Sequence, residues 1–535
     1  MAKRFAGIFF ITLGVALACV ATFVLVLFLA PGFSVFGLKY IAKGTHVVNE
    51  NCVIAEKMEG GNFSGSIRVE VEDIPVQVVF TQRFSYQVEY YDNFNGLTNT
   101  KIDDPSIAFS KDPDGTAVIK VTSFRKFVYE NANSTRYIKL LIPSSSIGGI
   151  NAGKTNLKIV SKTSPVSFAD EVADHYDPVF NNIEIETYGK ITSATKVIAN
   201  TYTLKTINAI MIGESETENI NATNYVLEST GGKIVVDRPV LGDITATTKN
   251  ARIQILSCNN FTANSGYGDV YSSREDAGVV INGSANITTT AGKINIDSIL
   301  GTDAKSYVTT KTGNVTIKRA MDVELTTTRG FVVVNSARKA NINTTSGSIT
   351  VTEVTEKINA KSKRGKINLG ASENVLYNPI VESTYGDVNI YSASGTVKVT
   401  TIEADVNFAN SDSSNVQLNV GGNLTATKLT GTVDIEVLGK ADIGFSTFTH
   451  KSNIVGTGDG SYINIQLLNN DNSTFSYSLH GNDASLYEYN TEDPSNHFQI
   501  GRAQSLVSSA ELVGKPLLSV SSKGRVVVYY KRTAA

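Results

Sequence analysis

The stretch Ala285-Asn-Ile287-Thr-Thr289-Thr-Ala-Gly292-Lys-Ile294-Asn-Ile296 decides the fold, because its pattern returns along the middle of the chain. The pattern is apolar-x-apolar-x-Ser/Thr-x-x-Gly-x-apolar-x-apolar. Further copies centre on Gly232, Gly268, Gly313, Gly330, Gly347, Gly365, Gly386 and Gly431, with Ala251 and Ser414 each taking the glycine position once. From 232 to 386 the copies are 17 to 24 residues apart. A repeat of this length predicts an array of stacked units.

Each position of the repeat has a physical interpretation. The residues two and four places after the glycine are apolar, as in Ile294 and Ile296, which predicts a strand with one buried face. Ser or Thr stands three places before the glycine in nine successive copies. Stacked hydroxyls are expected to bond backbone groups or each other at a corner. The glycine is expected to supply the unusual backbone angles of that corner.

One such unit is too small to bury its own apolar face, so neighbouring units must stack. We therefore predict an all-β chain, a single-stranded β-solenoid (β-helix) of about twelve short rungs. A β-sandwich is the alternative, but its strands need not share one recurring corner pattern.

The flanking regions differ from the repeats. Between Ile67 and Pro143 the strands are longer, and turn signals stand at Asp92–Gly96 and Asp112–Gly115, which predicts an N-terminal β-sheet cap. After Phe445 the period is lost and aromatic residues increase, although one clear unit returns around Gly524. Atypical terminal units are expected because an open solenoid end exposes a strand edge.

The N-terminus carries an uncharged run of 24 residues, Gly7–Ala30, that ends at Pro31. As a helix it would extend roughly 36 Å, enough to cross a bilayer. The run is longer than the apolar part of most signal peptides, so an uncleaved transmembrane helix is the favoured interpretation. A cleaved signal peptide, or a lipoprotein processed at Cys19, is the alternative. Basic residues lie on both sides of the run, and we expect the C-terminal bulk to be extracellular.

These features predict five segments. They are a transmembrane anchor (1–31), a juxtamembrane linker with a first strand (32–65), a β-rich cap region (66–150), the solenoid repeats (151–440) and atypical C-terminal rungs with a cap (441–535).

Composition narrows the function. The chain has 48 Lys and Arg against 50 Asp and Glu, a net charge of −2, which argues against the basic excess of many nucleic-acid binders. Five His and three Cys leave little material for a zinc site or a His-based catalytic centre, so no cofactor is expected. Outside the apolar run only Cys52 and Cys258 remain, either bridged to each other or present as two free thiols.

The chain resembles a known group of proteins. The strands of Ile67–Phe80 after an N-terminal anchor, the strand that ends in Leu141-Ile142-Pro143, and the repeated Ser/Thr-x-x-Gly-x-Ile/Val-x-Ile/Val units are similar to the bacterial "putative adhesin" domain family. The resemblance covers roughly residues 60 to 530. It implies a β-solenoid fold and attachment at a cell surface, and it carries no catalytic residue.

Some β-helices are polysaccharide-cleaving enzymes, and such a site needs acidic groups that converge on one face. The outward positions one and three places after the glycine contain no acidic ladder, so no enzyme is predicted. Asp174-His175-Tyr176-Asp177 is interpreted as a solvated loop rather than a metal site, and Gly456–Gly460 as a turn rather than a phosphate loop.

The best binding candidate is the polar row three places after the glycine. It comprises Asn295, Thr316, Thr350, Asn368 and Asn389. Such a ladder of hydroxyls and amides would contact a glycan or a surface protein, although a solvent-facing strand of any solenoid produces similar rows.

The sequence thus predicts a membrane-anchored, surface-exposed, non-catalytic adhesin or binding scaffold. Two alternatives are kept: an envelope sensor or regulatory partner of membrane proteins, and a carbohydrate-active β-helix enzyme.

Overall fold

The computed structural model describes residues 2–29, 34–35, 38–51, 66–81, 87–98, 105–122, 129–130, 134–143, 155–170, 179–193, 198–213, 224–274, 278–371, 374–489, 496–509 and 514–532. The chain divides into two compact units, unit 1 (Met1–Val235) and unit 2 (Val236–Ala535). In the described residues every element except one helix is a strand, and the long, largely parallel sheet is consistent with the predicted β-solenoid.

The N-terminal segment forms helix α1 (Ala2–Leu29), so the predicted helix is present. Within the described ranges, no helix qualifies by length and apolarity as a membrane span. The prediction of a transmembrane anchor is therefore not supported.

The strands of unit 1 are β1 (Ser34–Val35), β2 (Leu38–Asn51), β3 (Ile67–Val71), β4 (Val76–Thr81), β5 (Gln87–Thr98), β6 (Ser106–Lys111), β7 (Ala117–Thr122), β8 (Tyr129–Glu130), β9 (Thr135–Pro143), β10 (Asn156–Ser161), β11 (Val166–Asp170), β12 (Val179–Thr187), β13 (Ile191–Ser193), β14 (Ile198–Thr206), β15 (Ile210–Ile212) and β16 (Asn224–Ser229).

Two parallel stacks organise unit 1. One runs β7–β3–β10–β12–β14–β16 and the other β9–β4–β11–β13–β15. Every second residue of these strands is buried, as in Ile67, Val69 and Val71 of β3, because successive side chains point to opposite faces. Buried Phe168 contacts Phe80 in its own stack, with ring centroids 6.3 Å apart, and Tyr202 of the other stack, with centroids 5.9 Å apart.

Antiparallel strands form the N-terminal part of unit 1. Strand β5 pairs with β2 and with β9, and β6 pairs with β7. The turn predicted at Asp112–Gly115 is confirmed, since Gly115 has φ +88° and donates to the Asp112 carbonyl oxygen at 2.9 Å. The turn predicted at Asp92–Gly96 is wrong, because these residues continue β5. The side chains of Asp92 and Phe94 are buried there, and the Tyr90 hydroxyl donates to Asp92 at 3.0 Å.

Unit 2 contains the remaining strands, of which β17 includes the division between the units. They are β17 (Ile234–Pro239), β18 (Ile244–Thr248), β19 (Ile253–Cys258), β20 (Phe261–Ser265), β21 (Val270–Tyr271), β22 (Val279–Ile281), β23 (Ala285–Thr289), β24 (Ile294–Ile299), β25 (Ser306–Thr310), β26 (Val315–Thr327), β27 (Val332–Thr344), β28 (Ile349–Ser362), β29 (Ile367–Leu369), β30 (Leu376–Tyr377), β31 (Pro379–Ser383), β32 (Val388–Thr401), β33 (Val406–Val420), β34 (Leu424–Leu429), β35 (Thr432–Val437), β36 (Lys440–Phe445), β37 (Ser452–Gly456), β38 (Tyr462–Leu467), β39 (Ser476–Tyr489), β40 (His497–Val507), β41 (Leu517–Ser522) and β42 (Arg525–Lys531).

The repeat alignment holds in the core of unit 2. Ile349 pairs with Ile367, which pairs with Val388, all in parallel register and fully buried. The position two places after each glycine is therefore an inward column of stacked aliphatic side chains, as the alternation predicted.

Glycine occupies the predicted corners, but the physical reason for it differs from the prediction. A Cβ atom added to Gly292, Gly313 or Gly330 would lie only 1.7–1.9 Å from the carbonyl oxygen of the glycine one coil earlier. None of these glycines has a φ in the left-handed region. Glycine is therefore required because successive corners approach too closely for any side chain, and the expectation of unusual backbone angles is wrong at these positions.

The predicted hydroxyl row is confirmed in its geometry. Buried Thr289, Thr310 and Thr327 each accept a hydrogen bond from the N–H of the glycine three places on, at 2.8–3.1 Å. One hydroxyl also bonds its neighbour, since Thr344 Oγ1 lies 3.0 Å from Ser362 Oγ. These bonds satisfy corner N–H groups that would otherwise be buried without a partner.

The alignment fails after Gly386. The next corners fall at Ala404 and Gly422, because Val388 pairs with Val406, and Val406 with Leu424. Ser414 instead lies inside β33, and Gly431, with φ +81°, stands between β34 and β35. Neither residue is a corner of the repeat.

The C-terminal part of unit 2 is irregular, as predicted. Strand β39 pairs in parallel with β41 and β42 and antiparallel with β40, so a hairpin covers the last parallel strands. Phe445, Phe448, Phe475 and Tyr530 fill the core beneath it, with neighbouring centroids 5.2–6.3 Å apart.

Candidate functional site

The five predicted binding residues lie in one outward column of unit 2. In parallel register, Asn295 pairs with Thr316, and the column continues through Val333 to Thr350. Thr350 then pairs with Asn368, and Asn368 with Asn389. The structure therefore brings all five onto one face, with Val333 as the apolar member of the series.

A groove of about 370 Å³ opens on this column at its later coils. Its lining is formed by Asn368, Leu369, Gly370, Asn389, Ile390, Tyr391, Asn407, Phe408, Ala409, Thr425 and Thr427. Of the predicted residues, Asn368 and Asn389 line the groove, whereas Asn295, Thr316 and Thr350 lie outside its lining. No residue of the lining carries a charge, so the groove is suited to an uncharged polar ligand.

The polar side of the groove is an asparagine ladder. Asn389 Nδ2 donates to Asn368 Oδ1 at 2.8 Å, and Asn407 Nδ2 donates to Asn389 Oδ1 at 3.0 Å. These bonds hold the amide planes in fixed orientations before any ligand arrives. A carboxamide has two N–H donors and two lone pairs, so the ladder still has hydrogen-bonding capacity toward a ligand.

The other side of the groove presents an aromatic ring beside small residues. Two places after the ladder asparagines stand Gly370, Tyr391 and Ala409. Gly370 has φ +85°, and a Cβ atom there would lie 3.4 Å from the Tyr391 Cβ. Because its neighbours on both adjacent strands are small, the Tyr391 side chain is 49% exposed.

Two carboxylates flank the ladder on the corner side. Asp405 Oδ1 accepts from the Asn423 N–H at 2.7 Å and from its Nδ2 at 3.2 Å, and Asp387 Oδ1 accepts from the Asp405 N–H at 3.4 Å. Asp387 and Asp405 thus occupy the same corner position in successive coils. The sequence pattern predicts this position for Asp387 but not for Asp405, because the alignment has no corner at Ala404.

Sequence reasoning missed Asn407, Thr425 and Tyr391. The first two belong to the column, since Asn389 pairs with Asn407 and Asn407 with Thr425. They were missed because the alignment placed the next corners at Ser414 and Gly431. The signal was present: Thr401-Ile-Glu-Ala404-Asp-Val406-Asn-Phe408 fits the repeat with alanine in the glycine position.

The structure gives little support to the other candidate sites from the sequence. Asp174–Asp177 lies outside the described residues. Gly456–Gly460 contributes to the predicted turn, in which Ser461 donates to the Gly458 carbonyl oxygen at 3.0 Å. Cys258 is a free cysteine, and burial raises the pKa of its thiol to about 12, which makes it a poor nucleophile. Among the described residues, no group of three or more His, Cys, Asp or Glu is placed to hold a metal ion.

No family model and no curated protein matches the sequence. Among solved structures, the chain is similar to a "putative cell adhesion protein" from Clostridium sporogenes, with 9% identity and a TM-score of 0.20. The match covers 46% of this chain and all of the other.

Proposed function

We propose that the chain is a non-catalytic adhesin or binding protein whose groove on the outer face of unit 2 holds an uncharged glycan. The observation that carries the proposal is the fixed ladder of Asn368, Asn389 and Asn407 beside the exposed ring of Tyr391. A surface protein that inserts a polar loop is the competing ligand, and the experiment below separates the two.

The chemistry of the groove favours a sugar. A tyrosine ring supplies a rigid flat surface at low entropic cost, and asparagine supplies adaptable donors and acceptors. A sugar ring has an apolar face of C–H groups and a rim of hydroxyls, so it can stack on Tyr391 while its hydroxyls bond the amides. Because no residue of the lining is charged, no ion has to lose its hydration shell when an uncharged sugar binds.

The remaining parts of the proposal concern form and location. We take the chain to be a single-stranded β-solenoid of about twelve rungs, with its C-terminal bulk on the outer side of a membrane. Attachment through Gly7–Ala30 stays a prediction of the sequence. Protease added to intact cells should remove the C-terminal bulk while an N-terminal fragment stays in the membrane fraction. Release of a soluble form that begins near residue 31 would instead indicate a cleaved signal peptide.

The binding experiment uses the full-length chain on an array of neutral glycans. The Tyr391→Ala and Asn389→Ala variants should each weaken the best interaction about tenfold or more, because both remove central contacts. Tyr307→Ala is the matched control, since Tyr307 is 48% exposed and lies outside the groove lining. If no neutral glycan binds, or if Tyr307→Ala weakens binding as much as Tyr391→Ala, the proposal is wrong. The groove would instead be assigned to a protein ligand if the chain bound a surface protein but no glycan, and if Tyr391→Ala abolished that binding.

A further inference from the structure

Positive charge lies along one corner of unit 2, on four of five successive coils; the turn 345–348 between them carries no charge. The corner turns are 290–293, 311–314, 328–331, 345–348 and 363–366. Hydrogen bonds stack them: Lys311 N–H donates to the Thr290 carbonyl oxygen at 3.2 Å, and Arg329 N–H to that of Lys311 at 2.9 Å. The basic corner comprises Lys293, Lys311, Arg329, Lys363, Arg364 and Lys366, all of them exposed.

The five turns contain no acidic residue, and acids bound the basic corner at both ends. Asp269 occupies the position of Lys293 in the preceding coil, and Asp387 occupies that of Lys366 in the following coil. With strands about 4.8 Å apart, the four intervals extend over about 19 Å. The basic corner is therefore a local feature of a chain whose net charge is −2.

Lysines on the strand faces of the same coils differ from those of the basic corner, because they form ion pairs. Lys305, Lys318 and Lys339 each form an ion pair with an acid of an adjacent coil, at 2.5–2.9 Å, with Glu324, Asp297 and Glu356 respectively. The six cations of the basic corner form no ion pair with any residue in the described ranges. Stacked like charges repel one another, so this arrangement raises the local potential and attracts a polyanion.

We propose that the basic corner is a second binding site, separate from the groove, for a linear polyanionic polysaccharide. Three of the six charges lie on the turn 363–366, and the other three lie on the turns 290–293, 311–314 and 328–331 of the same stack. Charges spread along a stack in this way match a ligand whose acidic groups recur along a chain. Exposed Thr312, Thr328 and Ser346 lie between the cations and can bond sugar or sulfate oxygens. The five turns contain one aromatic residue, Phe331, so they offer no series of rings for nucleobases to stack on, which favours a polysaccharide over a single-stranded nucleic acid.

The test measures binding of the full-length chain to dextran sulfate, with neutral dextran and poly(dT) as comparison ligands. The triple variant Lys363→Ser, Arg364→Ser, Lys366→Ser removes three of the six charges. We expect roughly tenfold weaker binding to dextran sulfate, and a slope of log affinity against log salt reduced to about half. A second variant, Lys311→Ser with Arg329→Ser, should weaken binding from neighbouring turns. Equal melting temperatures of the variants and the parent chain would show that folding is unaffected.

The matched control is Lys305→Ser, Lys318→Ser, Lys339→Ser, which removes the same charge from paired positions. It should change the affinity by no more than about twofold. Tyr391→Ala should leave dextran sulfate binding unchanged, which separates this site from the glycan groove. Failure to bind dextran sulfate, equal binding of neutral dextran, or equal loss in the control would overturn the proposal. Tighter binding of poly(dT) than of dextran sulfate would assign the basic corner to nucleic acid instead.

Discussion

The coils between Gly268 and Gly386 and the C-terminal coils from Gly439 to Lys531 stack parallel strands by different means. In the first region each corner repeats one local device, a glycine against the backbone of the preceding coil with a buried hydroxyl three places before it. A short pattern is enough there, because every contact joins equivalent positions of adjacent coils.

In the C-terminal coils the device is used sparingly. Gly524 still approaches the Ser461 carbonyl oxygen, but Ser461 itself stands at the previous corner, and the two are separated by the hairpin of β39 and β40. Core contacts depend on aromatic rings instead, and Asn470 bonds both backbone groups of Phe448 at 2.6 and 2.9 Å. Arg502 of β40 forms two hydrogen bonds with Asp483 of β39, at 2.9 and 3.1 Å.

The difference shows when a structural repeat can be recognised in the amino-acid sequence. Periodicity is visible where the same small residue recurs at every close approach. It disappears in the C-terminal coils, where close approaches persist at Gly458 and Gly524 but no longer recur at a fixed spacing, even though the strands still stack in parallel. Four substitutions test this distinction.

The largest effect is expected at the stacked core of the regular coils. Ile367→Asp places a carboxyl group between fully buried Ile349 and Val388, and should lower the free energy of unfolding by roughly 5 kcal/mol or more. Hydrogen exchange should show the damage in the neighbouring coils as well. Asn368→Ala, one residue away and facing outward, should cost about 0.5 kcal/mol in a thermal or denaturant melt. Similar tolerance of both changes would contradict the register.

A single methyl group at a regular corner should have the next largest effect. In Gly330→Ala the new Cβ would lie 1.7 Å from the Gly313 carbonyl oxygen, so backbone must move, at a cost of about 3 kcal/mol. At Gly460 of the C-terminal coils an added Cβ would meet no atom within 4 Å, and the φ is not positive, so Gly460→Ala should change stability by less than about 0.5 kcal/mol. Equal destabilisation would remove the distinction between the two regions.

Loss of a corner hydroxyl should cost less. Thr327→Val leaves the Gly330 N–H without its buried acceptor, which predicts a loss of about 1–2 kcal/mol in a denaturant melt. Thr326→Val changes the same atoms on the exposed side of the strand and should stay within about 0.5 kcal/mol. If the two variants melt alike, the hydroxyl row contributes no stability.

The smallest effect is expected when the pH is lowered, and it concerns the stability of the β39–β40 hairpin. A hydrogen bond from Arg502 holds the pKa of Asp483 below its usual value of 3.8. Its contribution is therefore present above pH 3.8 and is lost as the pH falls through the lowered value. Protease susceptibility of the β39–β40 hairpin should rise in that acidic range. Asp483→Asn should show raised susceptibility already at neutral pH, whereas Asp459→Asn, at a carboxyl that is 96% exposed, should behave like the parent chain. An unchanged hairpin in Asp483→Asn would show that the ion pair does not fasten β40.

Much of the regular region could be predicted from the residues alone. The inward column of Ile349, Ile367 and Val388 follows from period-two alternation, and the buried hydroxyls follow from their recurrence at one offset. The same register also predicted that Asn368 and Asn389 face outward. The groove could not be predicted in this way, because Tyr391 becomes a neighbour of Gly370 and Ala409 only after folding.

Errors arose where one residue type has two physical uses. Glycine at the corners indicated unusual backbone angles, whereas it relieves contact between coils. Asp92–Gly96 has the composition of a turn, but pairing on both sides and burial of Asp92 and Phe94 keep it extended. Ser414 and Gly431 satisfied the pattern locally, and only strand pairing shows that Ala404 and Gly422 take the corners.

The sequence by itself determined the all-β class, the period of the repeat and the inward and outward faces of its strands, because alternation and small residues at close approaches are local requirements. Tertiary structure decided the corner registers after Gly386, the hairpin that covers the C-terminal strands, the groove beside the asparagine ladder and the alignment of the basic turns at one corner. Those features depend on which residues of different coils become neighbours, and that is determined by hydrogen-bond register between strands rather than by any single stretch of chain.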